Sequence, residues 1–155
     1  MNAKARATVL DAYAGVLEEN RAAAMTLAIR EAGKTIPDAL AEVRETVDFA
    51  RYYAARAHPG FAAPAQLTGP TGESNSIALA GRGVFACISP WNFPLAIFGD
   101  QVLAAGNAMI AKPAEQTPLF AAFAVRLMHQ AGIPADVLHL LPGAGATISA
   151  ALSCA

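Results

Sequence analysis

Asn92 lies in the run Ile88-Ser89-Pro90-Trp91-Asn92-Phe93-Pro94, and Lys112 and Glu115 lie in Lys112-Pro113-Ala114-Glu115-Gln116-Thr117-Pro118, with Gly106-Asn107 between them. Each run leaves an apolar, strand-like stretch and enters a helical one, and open α/β sheets place their ligands at such corners. A carboxamide just past a strand can aim an N–H at a substrate oxygen and stabilise developing negative charge, a donor whose loss costs about 10²–10³ in rate. The competing use of Asn92 is an Asx turn opening the next helix. Trp91 and Phe93 read as core plugs that also keep water from the amide. Lys112 and Glu115 offer a cationic donor and an anionic acceptor to one small ligand. Such a pair could bracket a ribose diol, and the carboxylate would repel a 2′-phosphate, favouring NAD over NADP. In their plain reading they are two solvated loop charges.

A third corner, Gly143-Ala144-Gly145-Ala146-Thr147-Ile148, begins like a dinucleotide fingerprint, but Ile148 stands where the third glycine belongs. Gly145 and Ala146 are candidate nucleotide contacts, and residues 146–151 would form a small-residue wall against adenine. An ordinary strand-to-helix turn explains the same glycines. His58, His129 and His139 are too scattered for a metal site, and the two cysteines, Cys87 and Cys154, form no metal or redox spacing. Neither cysteine has neighbours that would lower its pKa.

The elements that must position these residues follow from periodicity. Val9, Leu10, Tyr13, Val16, Leu17, Met25, Leu27 and Ile29 recur at helical spacing up to Gly33, which predicts one long helix with a left-handed close. A second long helix is predicted from about Pro37 through Leu40, Val43, Val47 and Tyr53, stopping before His58-Pro59-Gly60. Residues 1–58 thus form a helical segment and 59–75 a Pro/Gly-rich connection. Residues 76–155 carry the βαβαβ part, in which 77–79 and 84–88 read as strands joined by a bend or hairpin at Gly81-Arg82-Gly83. Then come a helix after Pro94, a strand over 108–111, a helix over 117–130 capped by Thr117 and closed by Gly132, and a strand over 137–140. The predicted fold class is α/β, a partial Rossmann-like nucleotide-binding domain preceded by two long helices.

Composition narrows the classes. A chain of 155 residues suits one core that buries roughly 68–70% of its unfolded surface. With a net charge of -1, no excess of Lys and Arg exists to neutralise nucleic-acid phosphates. No apolar run approaches the ~20 residues of a membrane span. Arg6, Asp11, Glu18 and Glu19 interrupt any signal-peptide core, so the cytoplasm is the expected compartment.

The Pro-Trp-Asn-Phe-Pro and Lys-Pro-Ala-Glu-Gln-Thr-Pro runs resemble hallmark motifs of the aldehyde dehydrogenase superfamily. Glu31-Ala32-Gly33-Lys34-Thr35, Tyr52-Tyr53-Ala54, Gly69-Pro70-Thr71-Gly72-Glu73-Ser74-Asn75 and Ala111-Lys112 are similar to the L-glutamate γ-semialdehyde (Δ1-pyrroline-5-carboxylate) dehydrogenase part of bifunctional proline utilization A (PutA) flavoenzymes. In that family a cysteine thiolate attacks the aldehyde, the motif Asn holds the oxyanion, hydride passes to NAD and water releases the acid. The resemblance implies that Asn92 is the oxyanion donor and that Lys112 and Glu115 hold the adenosine ribose. It also implies that Ile88, Ser89, Pro90 and Trp91 form the main-chain wall of the cofactor cleft.

The chain matches only a fraction of that domain. The family's pyrophosphate turn, its general-base segment and its nucleophilic Cys have no counterpart here, and neither Cys87 nor Cys154 matches the nucleophile. The expectation is therefore a fragment that carries half of an NAD site and does not oxidise aldehydes alone. The stretch Leu95 to Ala105 is shorter than the usual family helix by roughly three residues, which removes ~4.5 Å of helix and turns it by about 60°. That shortening would shift Asn92 relative to Lys112, while Ser149 replaces a usual Gly. Two other readings compete: a non-catalytic interaction module that self-associates through an unpaired sheet edge, and a gene fragment without selected function.

Overall fold

The structure is a computed structural model and describes residues 1–153. Its elements are α1 (Ala3–Glu19), α2 (Arg21–Ala32), α3 (Ile36–Phe61), β1 (Ala65–Leu67), β2 (Asn75–Ile77), β3 (Val84–Ile88), α4 (Asp100–Ala104), β4 (Ala108–Lys112), α5 (Pro118–Gln130), β5 (Leu138–Leu140) and α6 (Gly145–Ser153).

The first long helix of the sequence reading is interrupted at Asn20. Its side-chain amide donates to the Val16 carbonyl at 2.8 Å, so an Asn competes with the helix's own ladder and splits it into α1 and α2. Gly33 closes α2 at φ 66, as its lack of a side chain allows. Thr35 caps α3, accepting from the Asp38 N–H at 3.3 Å. This helix runs on through Pro59 and Gly60 to Phe61, past the predicted stop. Pro59 sits in the final turns, and the bond it omits would run to the carbonyl of Ala55, on the exposed side where water reaches it.

The predicted hairpin at Gly81-Arg82-Gly83 does not form. β2 pairs instead with β1, antiparallel, within and beside the stretch read as a connection, in the register Ala65↔Ile77. The reason lies in Asn107, whose Oδ1 accepts from Arg82 N and, at 3.1 Å, from Gly83 N. The Gly83 carbonyl in turn accepts from Ala108 N at 2.9 Å. The bend is thereby committed to β4, and β3 enters a parallel ladder.

That ladder has the order β3-β4-β5, with Val84↔Ala108 and Ile88↔Lys112 between the first pair and Ala111↔Leu140 between the second. The βαβαβ unit is present as read. Between β3 and β4, however, only Asp100 to Ala104 is helical, where Leu95 to Ala105 was expected. Gly99 precedes it at φ 123, and a Cβ there would lie 2.7 Å from Met109 Sδ and 3.0 Å from Cys87 Sγ. This close seating on β3 and β4 fits no ordinary helix.

One core joins the layers. Leu10, Tyr13 and Leu17 of α1 and Val43 and Val47 of α3 meet Phe98, Met109, Phe120, Leu127 and Leu138, while Ala14, Ala24, Ala28 and Ala50 let the helices approach closely. Among the described residues, no helix is long and apolar enough to cross a membrane.

Candidate functional site

The sheet brings its three strand-to-helix corners to one end. At the first, Ser89 N donates to the Lys112 carbonyl at 3.1 Å, tying the β3 corner to β4. The Ser89 side chain is buried without a hydrogen-bond partner. Ile88, Pro90 and Trp91 are exposed, as is Asn92. The reading of Trp91 and Phe93 as core plugs shielding Asn92 is thus corrected: they are 54% and 39% exposed. Strand β3 is one edge of the sheet, and no described strand pairs with its outer side.

What holds the corner comes from the helices. Glu42, 1% exposed, accepts from Leu95 N at 2.8 Å and Ala96 N at 3.3 Å through Oε1. Its other oxygen pairs with Lys34, whose ammonium also lies 4.8 Å from the centre of the Phe93 ring. Asn92 opens onto a cleft of about 440 Å³ edged by Lys34, Asp38, Glu45, Trp91 and Phe93. Glu42 was missed in the sequence, although the signal was there: a charged residue at the buried phase of an amphipathic helix, beside Ala39, Val43 and Thr46.

At the second corner Lys112 is buried, at 5% exposed, and so is not the solvated loop charge of its plain reading. Strand β4 ends on it between β3 and β5, which places its side chain on an interior strand. Glu115 is exposed and reaches the third corner, where its Oε1 accepts from Gly145 N at 2.6 Å. The two corners enclose a shallow cleft of about 340 Å³ lined by Ala114, Glu115, Pro118, Pro142, Gly143 and Ala144. Ala146 is exposed in the first turn of α6 and does not line this cleft. The Ser149 side chain and Cys154 lie outside the described residues. Cys87, free and half-buried, has its thiol pushed up by desolvation, the opposite of what a nucleophile needs.

A small, separate cavity of about 70 Å³, bounded by Arg6, Leu10, Gly106, Asn107 and Ile133, holds none of the candidate residues. Asn107 and Arg6 act structurally there, Arg6 Nε donating to the Ala104 carbonyl at 2.9 Å.

A carboxylate with one oxygen engaged stands at the edge of a cleft lined mostly by small apolar residues, so it can accept from a ligand's hydroxyls there; Lys112 ends the preceding strand and does not line the cleft. The family model described as Aldehyde dehydrogenase family matches residues 1–155. The chain is 46% identical over 151 residues to the "Bifunctional protein PutA" of Klebsiella aerogenes, covering 96% of itself and 10% of that protein. A solved variant of Bradyrhizobium japonicum Proline Utilization A (PutA) superposes with a TM-score of 0.92 at 52% identity, over 100% of this chain and 16% of that one. The 1-pyrroline-5-carboxylate dehydrogenase from Thermus with bound NAD gives a TM-score of 0.90 at 33% identity, over 98% of this chain and 30% of that one. The chain therefore spans about a tenth of the curated PutA relative and under a third of the Thermus enzyme.

Proposed function

Because the chain belongs to the aldehyde dehydrogenase family, we propose that it forms the adenosine-binding side and the oxyanion-holding corner of an NAD-dependent enzyme that oxidises L-glutamate γ-semialdehyde in proline catabolism. The substrate class is carried over from the PutA and 1-pyrroline-5-carboxylate dehydrogenase relatives. The observation that carries the nucleotide reading is the meeting of two sheet corners through Glu115 and Gly145 around a cleft lined mostly by small apolar residues.

In this reading the Lys112 ammonium and the Glu115 carboxylate hold the ribose hydroxyls. The main chain of exposed Ile88, Pro90 and Trp91 and of buried Ser89 lines the path toward the reacting centre. Asn92, free of any described side-chain hydrogen bond, donates to the aldehyde oxygen as negative charge develops there. Lys34 and Glu42 hold the backbone on which Asn92 rides. NAD, when bound, accepts the hydride. The carboxylate at the ribose disfavours a 2′-phosphate by like-charge repulsion, so NAD is the preferred form.

The chain by itself does not turn over in this proposal. Cys87 lies in β3 with its thiol raised, so it offers no thiolate to attack an aldehyde. Calorimetric titration of the purified chain with NAD is the test, with Lys112→Ala, Glu115→Ala as control. The expected result is weak, saturable binding that falls at least about tenfold in the double variant. Absence of binding at millimolar NAD would remove the nucleotide reading. NADH formed from the semialdehyde above a heat-inactivated control would overturn the proposed inactivity.

A further inference from the structure

We infer that the backbone N–H of Gly145 is a positioning group for the nucleoside cleft: it orients the Glu115 carboxylate to receive a ribose diol, and the absence of a side chain at 145 leaves that contact uncrowded. The inference rests on the reading of this cleft as an adenosine site and adds the device that presets it.

Glu115 follows β4 and Gly145 opens α6, 30 residues later, yet Oε1 accepts from Gly145 N at 2.6 Å. Ala144, the residue before α6, has no side chain able to cap the helix. Glu115 supplies the acceptor from another element, and a carboxylate there is favoured by the partial positive charge of the helix start. The same contact has a consequence for Glu115. An exposed Glu samples many rotamers, and ordering them would count against any ligand it binds. Bonded to Gly145, the carboxylate is ordered in advance, with no described hydrogen bond on its second oxygen. That oxygen remains for a hydroxyl at the edge of the cleft.

The glycine keeps the contact uncrowded. A Cβ at 145 would lie 3.3 Å from Glu115 Oε1, tighter than an ordinary contact, so a side chain there would press the carboxylate away by a few tenths of an ångström. Most of the described α6 side chains are exposed. The Glu115 hydrogen bond is thus a principal tie between α6 and the β4 corner.

The experiment is calorimetry of the full chain with AMP and with 2′,3′-dideoxy-AMP, on the unchanged protein and on Glu115→Gln, Gly145→Ala and Gly145→Pro. Proline suits the first position of a helix and lacks the N–H, while alanine keeps the N–H and adds the Cβ. Thermal melts check that each variant folds. The unchanged chain should prefer AMP by about tenfold, a charge-assisted bond's worth of discrimination. Gly145→Pro and Glu115→Gln should lose most of that preference, and Gly145→Ala part of it, while the dideoxy analogue binds as before; a general structural defect would weaken both ligands together. AMP binding and preference unchanged in both Gly145 variants would overturn the inference and leave the adenosine reading intact. Tighter AMP binding in them would mean that the contact blocks the carboxylate, which also overturns it. If the unchanged chain binds neither ligand, the adenosine reading fails and the inference falls with it.

Discussion

Asp100 stands in the first turn of α4, 4% exposed, with Oδ1 unpartnered, and Tyr13 of α1 is fully buried with its hydroxyl equally unpartnered. Burial pushes the Asp100 carboxyl up to about 7, and desolvation, with Asp100 adding, pushes the Tyr13 phenol well above its ordinary value. The folded state therefore prefers protonated Asp100, whereas the unfolded chain releases that proton near pH 4. The contribution of Asp100 to stability should be full below pH 4, fall as the pH rises toward 7 and level off above it, a loss of roughly 4 kcal/mol for about three pKa units. Thermal melts across that range should show the slope. Asp100→Asn should flatten it and melt above the unchanged protein at pH 8; an unchanged slope would contradict the assignment. A second residue-scale expectation concerns Glu42. Glu42→Gln leaves Lys34 without its buried partner and should cost about 3 kcal/mol, with Lys34→Met added recovering part of it. The single tryptophan, Trp91, sits on the loop that Glu42 holds, so its emission should change in Glu42→Gln and report the loosened corner.

At the scale of elements, carboxylates from elsewhere in the chain supply the acceptors that helix and loop starts lack. Thr117 precedes α5 as the sequence predicts, but its side chain makes no capping bond. Glu31 at the end of α2 takes that role, accepting from Leu119 N at 2.8 Å and Phe120 N at 2.6 Å. Glu31→Ala should lower stability by about 1–2 kcal/mol, read as a shifted urea midpoint with an unchanged slope, and Thr117→Ala should not weaken the cap. The contrast marks what was legible. Prolines, glycines and the change from helical to strand periodicity located the three parallel strands, α5 and the closing Gly33 and Gly132, because each of those signals acts within a few residues. The bonds made by Glu31, Glu42 and Glu115 span 88, 53 and 30 residues, and no local pattern announces such a reach. The β1–β2 pairing escaped for the same reason: Asn107, 24 residues beyond Gly83, decides where the Gly81 bend leads. The candidate site was legible as residue types on corners. The burial of Lys112 and the engagement of Glu115 with Gly145 were not, since both depend on which strands become neighbours.

At the scale of the molecule, the helices cover one face of the sheet, and the other face is open along β3. Phe85, Met109 and Ala111 share the face toward the helices, and the last two are fully buried. Val84, Ala86 and Ile88 share the other, with Val84 67% and Ile88 61% exposed, and β3 has a free edge as well. In doubly wound sheets the strand order 3-2-1-4 puts the next strand beside the first, and β3 holds that first position here. Aldehyde dehydrogenase relatives several times longer than this chain have the length to fill that edge. Taken alone, the chain presents unpaired backbone groups next to a row of apolar side chains, the arrangement that drives strands of separate molecules together. Light scattering should therefore show mass rising with concentration. Val84→Lys with Ala86→Lys places two charges on that strand without touching the candidate site or the buried core, and should shift the rise to at least about tenfold higher concentration. A monodisperse monomer at all concentrations in the unchanged chain would mean that the open face is protected in some other way, and would remove self-association as a property of this fold. The melts at pH 4 and pH 8 belong beside this measurement. Asp100 acts within the core and β3 at the surface, so the pH slope should persist in the doubly charged variant while the mass rise moves to higher concentration.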